Sequence, residues 1–434
     1  MTITIVGHGY VGLVSACAFA DFGNTVYVVG HTPEKLERLK NGDPIIYEPG
    51  LAEVLQKNNK AGRLKFTTEY GQAISSSEIV FITVGTPPKA DGEADLSTVL
   101  AVAEKIGKHL SNKFTVVSCK STVPVGTNLM IKGIIEKCKN KKAEFAVASC
   151  PEFLREGSAL HDTFEADRVV IGSSSQKAID LLLKIHAPIT GKKVVTDLAS
   201  AELIKYTSNS VLAMKISFAN LISFYCEKTG ANVEMVMDAV GFDKRIGRIF
   251  MDPGVGYGGS CFPKDVKALI STGKHIGIDT TLLEAVDNIN EQARTNMLQK
   301  ILSQAKGKNI AVWGLSFKPN TDDIRFAPSV DIIRALVEKG YSLSVYDQEG
   351  AKNIKRIFGD KIVYAKNSYE AIKNADALVI ITDWNEFKNV DLQKVKKLMK
   401  HPMIFDGRNI YDPQTMKDFG FIYISTGRAT VSEK

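Results

Sequence analysis

The stretch Gly256-Tyr257-Gly258-Gly259-Ser260-Cys261-Phe262-Pro263-Lys264-Asp265 sets one cysteine behind glycines, which let a backbone approach a ligand closely, and ahead of a proline that suits a helix's first turn. A thiol at a helix N-terminus feels the positive end of the dipole, and Lys264 adds an ammonium beside it, so Cys261 should ionise easily. That is the build of a nucleophile; the bland alternative is a glycine-rich loop with an incidental thiol. A second constellation opens the chain. Gly7-His8-Gly9-Tyr10-Val11-Gly12 follows a β-branched run and precedes an apolar helical pattern. In that setting Gly7 makes a tight turn, Gly9 admits a pyrophosphate and Gly12 packs helix on strand, which points to a dinucleotide that carries hydride.

The elements that must position these residues follow from the apolar periodicity. Residues 2–6 and 25–29 read as strands around the glycine turn and its helix, an opening βαβ unit. Further strands are expected over 79–84, 115–119, 145–149, 169–172 and 193–195. Three of them run into small polar residues: Gly85-Thr86-Pro87, Ser121-Thr122-Val123-Pro124 and Cys150-Pro151-Glu152. An open α/β sheet holds its ligand at such strand ends. From about residue 199 the strand signal stops. Residues 201–228 contain no Pro or Gly and read as one long helix, joining two domains and offering a dimerisation element. A second strand–turn–helix–strand pass begins at residue 309, continues at 342–346 and 377–381, and has its last expected strand at 403–406. Its turn, Gly314-Leu315-Ser316-Phe317-Lys318, lacks the glycine fingerprint and so suits a different nucleotide. The expected fold is α/β: two doubly wound Rossmann-like domains joined by a long central helix. The divisions are 1–198 for dinucleotide binding, 199–304 for a helical dimerisation region and 305–434 for the second nucleotide-binding domain, with 427–434 a frayed tail.

A chain of 434 residues is too long for one ordinary core, which agrees with several domains. No apolar run is long enough to span a bilayer, and the N-terminus leads straight into a strand without a basic leader. The six cysteines stand singly with no CxxC pair, so no metal site is expected and reduced thiols in a cytoplasm fit. The net charge of +7 is modest, and lysine runs such as Lys394-Val395-Lys396-Lys397 read as solvated helix faces. Neither a nucleic-acid nor a membrane partner is expected; the basic balance suits an anionic small substrate.

Beyond the two glycine-rich segments, Tyr47-Glu48-Pro49-Gly50-Leu51, Val84-Gly85-Thr86-Pro87, Ser121-Thr122-Val123-Pro124-Val125-Gly126-Thr127, Pro151-Glu152-Phe153-Leu154-Arg155-Glu156-Gly157, Glu202-Leu203-Ile204-Lys205-Tyr206 and Ser316-Phe317-Lys318-Pro319-Asn320-Thr321-Asp322-Asp323-Ile324-Arg325 follow in order. This series resembles the UDP-glucose 6-dehydrogenases of the UDP-glucose/GDP-mannose dehydrogenase family, over nearly the whole chain. The resemblance implies a four-electron oxidation of UDP-glucose to UDP-glucuronate by two hydride transfers to NAD(P), in a cytoplasmic homodimer paired through the central helix. GDP-mannose and UDP-N-acetylhexosamine enzymes share the architecture and stay open as alternatives. An inactive nucleotide-sugar sensor and an ordinary two-electron dehydrogenase are rivals of other classes.

The chemistry explains the residue types. Oxidising a primary alcohol to an acid removes two hydrides with an aldehyde between them, and a thiolate can hold that aldehyde as a thiohemiacetal and then a thioester. Such a site needs an ammonium and an amide at the oxyanion and a carboxylate that manages water. The resemblance maps these roles onto Cys261, Lys205, Asn209 and Asp265. Lys205 and Asn209, four apart, share one helix face; without the resemblance they read as a solvated lysine and a filler. By resemblance too, Thr122 orders water or the nicotinamide region and Glu152 assists acid–base steps. Phe153, Leu154, Arg155 and Glu156 frame substrate and nicotinamide, whereas their bland reading is a cluster at a helix start. The sugar nucleotide is expected at Phe250-Met251-Asp252-Pro253-Gly254, Gly258, Phe317 and Lys318, with Arg245 reaching across a dimer. Arg325 is expected at the dinucleotide phosphates, and Thr86, Glu156 and Lys264 near the cofactor with Gly7, Gly9, Tyr10, Val11 and Gly12.

One position departs from the pattern. The second strand should end in an acidic residue that binds the adenosine ribose, but Val28-Val29 is followed by Gly30-His31-Thr32. Gly30 takes the place of the carboxylate, and Thr32 that of its acidic companion. His31, Thr32 and Lys35 offer donors where a 2′-phosphate would sit, so NADP is a possible cofactor beside NAD.

Overall fold

The computed structural model describes residues 1–432. The chain forms two compact units, Met1–Ser208 and Asn209–Lys434.

The first unit is built on an eight-stranded sheet: β1 (Thr2–Val6), β2 (Thr25–Val29), β3 (Leu64–Thr67), β4 (Ile79–Ile82), β5 (Thr115–Cys119), β6 (Phe145–Ser149), β7 (Arg168–Gly172) and β8 (Lys192–Thr196). Their order is β3-β2-β1-β4-β5-β6-β7-β8, parallel except where Ser149 meets Gly172 between β6 and β7. Ile3 and Ile5 of β1 and all four residues of β4 are fully buried, as expected for parallel strands covered on both faces. The order reverses between β1 and β4, which opens a crevice at their carboxyl ends. The helix Tyr10–Asp21 carries apolar or small residues nearly all round and buries Gly12 through Ala20.

The long helix runs Leu198–Thr229, three residues earlier and one later than its apolar pattern suggested. In the second unit, helices Val233–Gly241, Phe262–His275 and Thr281–Gln304 precede a six-stranded parallel sheet. Its strands are β9 (Asn309–Trp313), β10 (Ser342–Tyr346), β11 (Val363–Tyr364), β12 (Ala377–Ile380), β13 (Met403–Asp406) and β14 (Ile422–Ser425), in the order β11-β10-β9-β12-β13-β14. Both units are therefore doubly wound. No helix among the described residues is long and apolar enough to cross a membrane.

Two expectations fail at the chain's end. Residues 403–406 are not the last strand, because the short β14 pairs with β13. Nor do the residues from 427 form a frayed tail as far as they are described. Val431 exchanges backbone hydrogen bonds with Tyr423 at 2.9 and 3.1 Å, and the buried Arg428 donates to Ser425, Tyr423 and the Tyr411 carbonyl. Residues 433 and 434 lie outside the described part.

The first unit's core holds a histidine with a consequence for stability. His186 is 2% exposed, edge-on to Phe19 and Phe81, and its Nδ1 lies 2.8 Å from the Leu182 carbonyl. Burial, with Lys120 nearby, pushes its imidazole down to about 3 from 6.5. The unfolded chain thus takes a proton below about pH 6.5 that the folded chain refuses, so stability falls as pH drops from 6.5 toward 3. Urea unfolding of wild type and His186→Gln between pH 7 and 4 checks this. The wild type should lose up to about 1.4 kcal/mol per pH unit more than the variant, and parallel profiles would exclude the effect.

Candidate active site

The candidate residues fall in two sets, one in each unit. In the first, the three glycines of the opening turn each answer a separate requirement. Gly7 has φ +121°, and a Cβ there would lie 2.8 Å from Thr83 Oγ1. A Cβ at Gly12 would lie 2.1 Å from the Gly7 carbonyl, so the helix can close on the turn only with glycine. Gly9 caps the helix Tyr10–Asp21, and a Cβ there would meet nothing within 4 Å. Open space at a helix N-terminus fits the pyrophosphate of a dinucleotide.

Tyr10 and Val11 begin that helix. The Tyr10 hydroxyl donates to Glu48, a buried carboxylate that also accepts the Gly157 and Ala159 amides, each at 2.7 Å. Burial and this carboxylate push the phenol's pKa up. The glycine turn is thereby tied to the loop holding residues 152–156. Glu48 stands in one of the sequence motifs, but nothing there marked it as the hub; Tyr10 lies 38 residues away, and Gly157 and Ala159 lie 109 and 111.

In that loop Glu152 is buried, accepting the Leu154 amide at 2.5 Å, and its Oε1 lies 3.4 Å from Lys205 Nζ. Lys205 is 3% exposed, and its ammonium stands 5.2 Å from the Phe153 ring centroid; Arg168 covers the same ring at 3.8 Å. Arg155 is held by Asp162 at 2.6 Å, and Glu156 is half-buried. No helix starts at Glu152 or Glu156: the next one is Ala159–Phe164. Thr86 Oγ1 donates to the Thr122 carbonyl at 2.9 Å, joining the ends of β4 and β5. At the end of β2, His31 and Lys35 are exposed and Thr32 is half-buried. Gly30 lies against His8, whose ring is T-shaped to His31 at 5.0 Å.

In the second unit Cys261 is the N-cap of Phe262–His275, with Pro263 in the first turn. Its Sγ lies 3.8 Å from Ser260 Oγ. Asp265, 1% exposed, accepts the Asn209 amide at 2.6 Å and pairs with Lys264 at 2.5 Å. The other cysteines differ in kind. Burial pushes the Cys17 and Cys119 thiols up to about 12 and also raises Cys150 and Cys226. Cys138, partly exposed like Cys261, ends the helix Thr127–Cys138, where the dipole opposes a thiolate. Of the six cysteines, Cys261 is the partly exposed one at a helix N-cap.

The loop ahead of it is held by residues that sequence patterns did not mark. Asn290 accepts the Tyr257 amide at 2.8 Å and donates to the Tyr257 carbonyl at 3.1 Å. The buried Arg294 donates to the Tyr257 and Phe326 carbonyls at 2.7 and 3.2 Å. Gly258 and Gly259 pack on the Phe317–Ala327 loop: a Cβ would lie 2.4 Å from the Phe326 carbonyl oxygen at Gly258 and 2.7 Å from the Phe317 ring at Gly259. Arg325, bonded to Asp323, and Lys318, 5.7 Å from the Phe317 ring, belong to the same corner. Within residues 250–254, Phe250 has φ +65°, Met251 packs into the core and Pro253 is buried. Asp252 pairs with Arg248, and the Gly254 amide donates to Asn220 at 2.7 Å beside Arg408. Arg245 stands apart, its side chain 88% exposed and paired with Asp243.

Residues 1–190 match the NAD binding domain of the UDP-glucose/GDP-mannose dehydrogenase family, 199–292 its central domain and 311–413 its UDP binding domain. The chain belongs to the UDP-glucose/GDP-mannose dehydrogenase family. Its relatives in the family include the UDP-glucose 6-dehydrogenase TuaD of Bacillus subtilis, 46% identical over 99% of this chain and 94% of the relative. That of Rhizobium meliloti is 44% identical over 99% and 100%. A UDP-glucose dehydrogenase of Pyrobaculum islandicum superposes with a TM-score of 0.92 at 36% identity, covering 98% of both chains. A UDP-D-ManNAc dehydrogenase of Pyrococcus horikoshii follows at 0.86 and 28%, covering 99% of both. The family's NAD binding domain is the unit whose glycine turn leaves open space at Gly9.

Proposed function

We propose that the chain oxidises UDP-glucose to UDP-glucuronate in two successive hydride transfers through a thioester on Cys261. The position of Cys261 at a helix N-terminus, one turn from the buried Asp265 that holds Asn209, carries this reading. Full-length relatives named for UDP-glucose favour that sugar over GDP-mannose or a UDP-N-acetylhexosamine. Gly7, Gly9, Tyr10, Val11 and Gly12 would hold the dinucleotide, aided by Thr86, Glu156, Lys264 and Arg325. Residues 250–254, Gly258, Phe317 and Lys318 would hold the sugar nucleotide, framed by Phe153, Leu154 and Arg155. When bound, the nicotinamide supplies the hydride acceptor for each oxidation.

The first oxidation removes a hydride from C6 and a proton from its hydroxyl, leaving an aldehyde. The Cys261 thiolate adds to that carbon, and Lys205 and Asn209 hold the oxyanion of the thiohemiacetal. Loss of a second hydride gives the thioester. Water, ordered by Thr122 and deprotonated with help from Asp265 and Glu152, breaks the C–S bond, releasing carboxylate and thiolate. A nucleotide-sugar sensor has no use for Cys261, Lys205, Asn209 and Asp265 together.

Val211, Phe218 and Tyr225 stand seven apart on the long helix and are 44%, 47% and 62% exposed. Such a stripe supports a homodimer through the central region, with Arg245 reaching the partner's sugar. The functional divisions remain 1–198, 199–304 and 305–434, in a cytoplasmic enzyme that uses NAD or NADP. Purified protein offered a panel of sugar nucleotides with each cofactor tests the reading by absorbance. UDP-glucose should yield two reduced cofactors per molecule consumed, whereas one would return the chain to ordinary two-electron dehydrogenases.

A further inference from the structure

The end of β2 holds more than a missing carboxylate. A Cβ at residue 30 would lie 2.7 Å from His8 Nδ1, 3.1 Å from His8 Cγ and 2.7 Å from Leu36 Cδ2. The Leu36 methyl ends a flexible side chain and can rotate away. The His8 ring cannot do so as easily: it is bonded directly to its own Cβ and only 5% exposed. Any side chain at position 30 therefore competes with His8 for one space. The Nδ1 of His8 is buried and has no hydrogen-bond partner among the described residues, an uncommon state for a buried polar atom. His31 covers its edge, and His31 and Lys35 are the titratable groups that act on it. Burial and these two residues hold its imidazole below the usual histidine range.

We propose that His8 and Gly30 are a reciprocal pair that sets cofactor choice: the imidazole fills the place from which a carboxylate would be presented, so the adenosine ribose meets His8, His31 and Lys35, and a 2′-phosphate is accepted. This rests on the reading that the Gly7–Gly12 turn holds a dinucleotide. A carboxylate at the ribose repels a 2′-phosphate, whereas imidazoles and an ammonium do not. The specificity residue has moved from the strand end into the glycine turn, and position 30 cannot be changed alone.

Calorimetric titration with NAD and NADP, without sugar nucleotide, tests the pair in wild type, Gly30→Asp, His8→Ala and the double variant, with thermal melts alongside. Wild type should bind both dinucleotides with affinities within about tenfold of each other. Gly30→Asp alone should melt lower and weaken both about tenfold or more, because the ring and the new side chain collide. The double variant should recover the melting temperature and NAD binding while losing about tenfold or more for NADP. If Gly30→Asp alone melts like wild type and binds NAD as tightly as the double variant, the pair is refuted. Undiminished NADP binding by the double variant, or strict NAD binding by wild type, also refutes it. Wild type that binds neither dinucleotide removes the underlying site, and the proposal with it.

Discussion

Replacing Cys261 by serine should reduce net oxidation of the sugar nucleotide by about a thousandfold or more while leaving its binding within about threefold of wild type. A serine hydroxyl occupies nearly the same volume at the helix N-cap but does not ionise at neutral pH, so the aldehyde is not captured and the second hydride has no route out. The loss belongs in kcat, because the loop's position comes from Asn290, Arg294 and the glycine contacts rather than from the thiol. Cys138→Ser is the control, a partly exposed thiol at the opposite pole of a helix, and should leave turnover unchanged. Steady-state rates and calorimetry with UDP-glucose separate the two effects. A serine variant that still produced two reduced cofactors per substrate at wild-type rate would remove the cysteine from the mechanism.

How far the sequence shows this arrangement depends on the distance over which each contact acts. The turn at Gly7, Gly9 and Gly12 is legible because strand, turn and helix are contiguous and each glycine has a local reason. Cys261 is legible for the same reason, since Pro263 and the glycines announce a helix start on either side. β11 has only two residues, and β3 and β14, as long as the anticipated β4, β12 and β13, lie at sheet edges and are defined by pairing with β2 and β13. Glu48, Asn290 and Arg294 pass unnoticed because their partners lie between 32 and 112 residues away. Gly30 is the instructive case: from sequence it is a deletion of charge, and in three dimensions it is also the room His8 requires.

Lys205→Met should lower kcat by about a hundred- to a thousandfold, the usual cost of removing a donor that stabilises a developing oxyanion. Methionine keeps the length and packing against Phe153 but removes the charge. The difficulty is that Lys205 also pairs with Glu152 at 3.4 Å, both side chains being under a tenth exposed. Breaking a buried pair from one side costs about 3–5 kcal/mol, so lost activity could follow from lost structure. The double variant Lys205→Met/Glu152→Gln separates the causes. Neutralising both partners should restore the melting temperature toward wild type, since no buried charge is left without its counterion. Activity should stay as low as in the single variant, because the ammonium at the oxyanion is still absent. Thermal melts beside kcat and KM decide the matter, with Glu152→Gln alone as the reference because Glu152 also serves the water step. A double variant recovering stability and the turnover of Glu152→Gln would make Lys205 a structural residue, and recovery of stability with turnover well below that of Glu152→Gln assigns it to the chemistry.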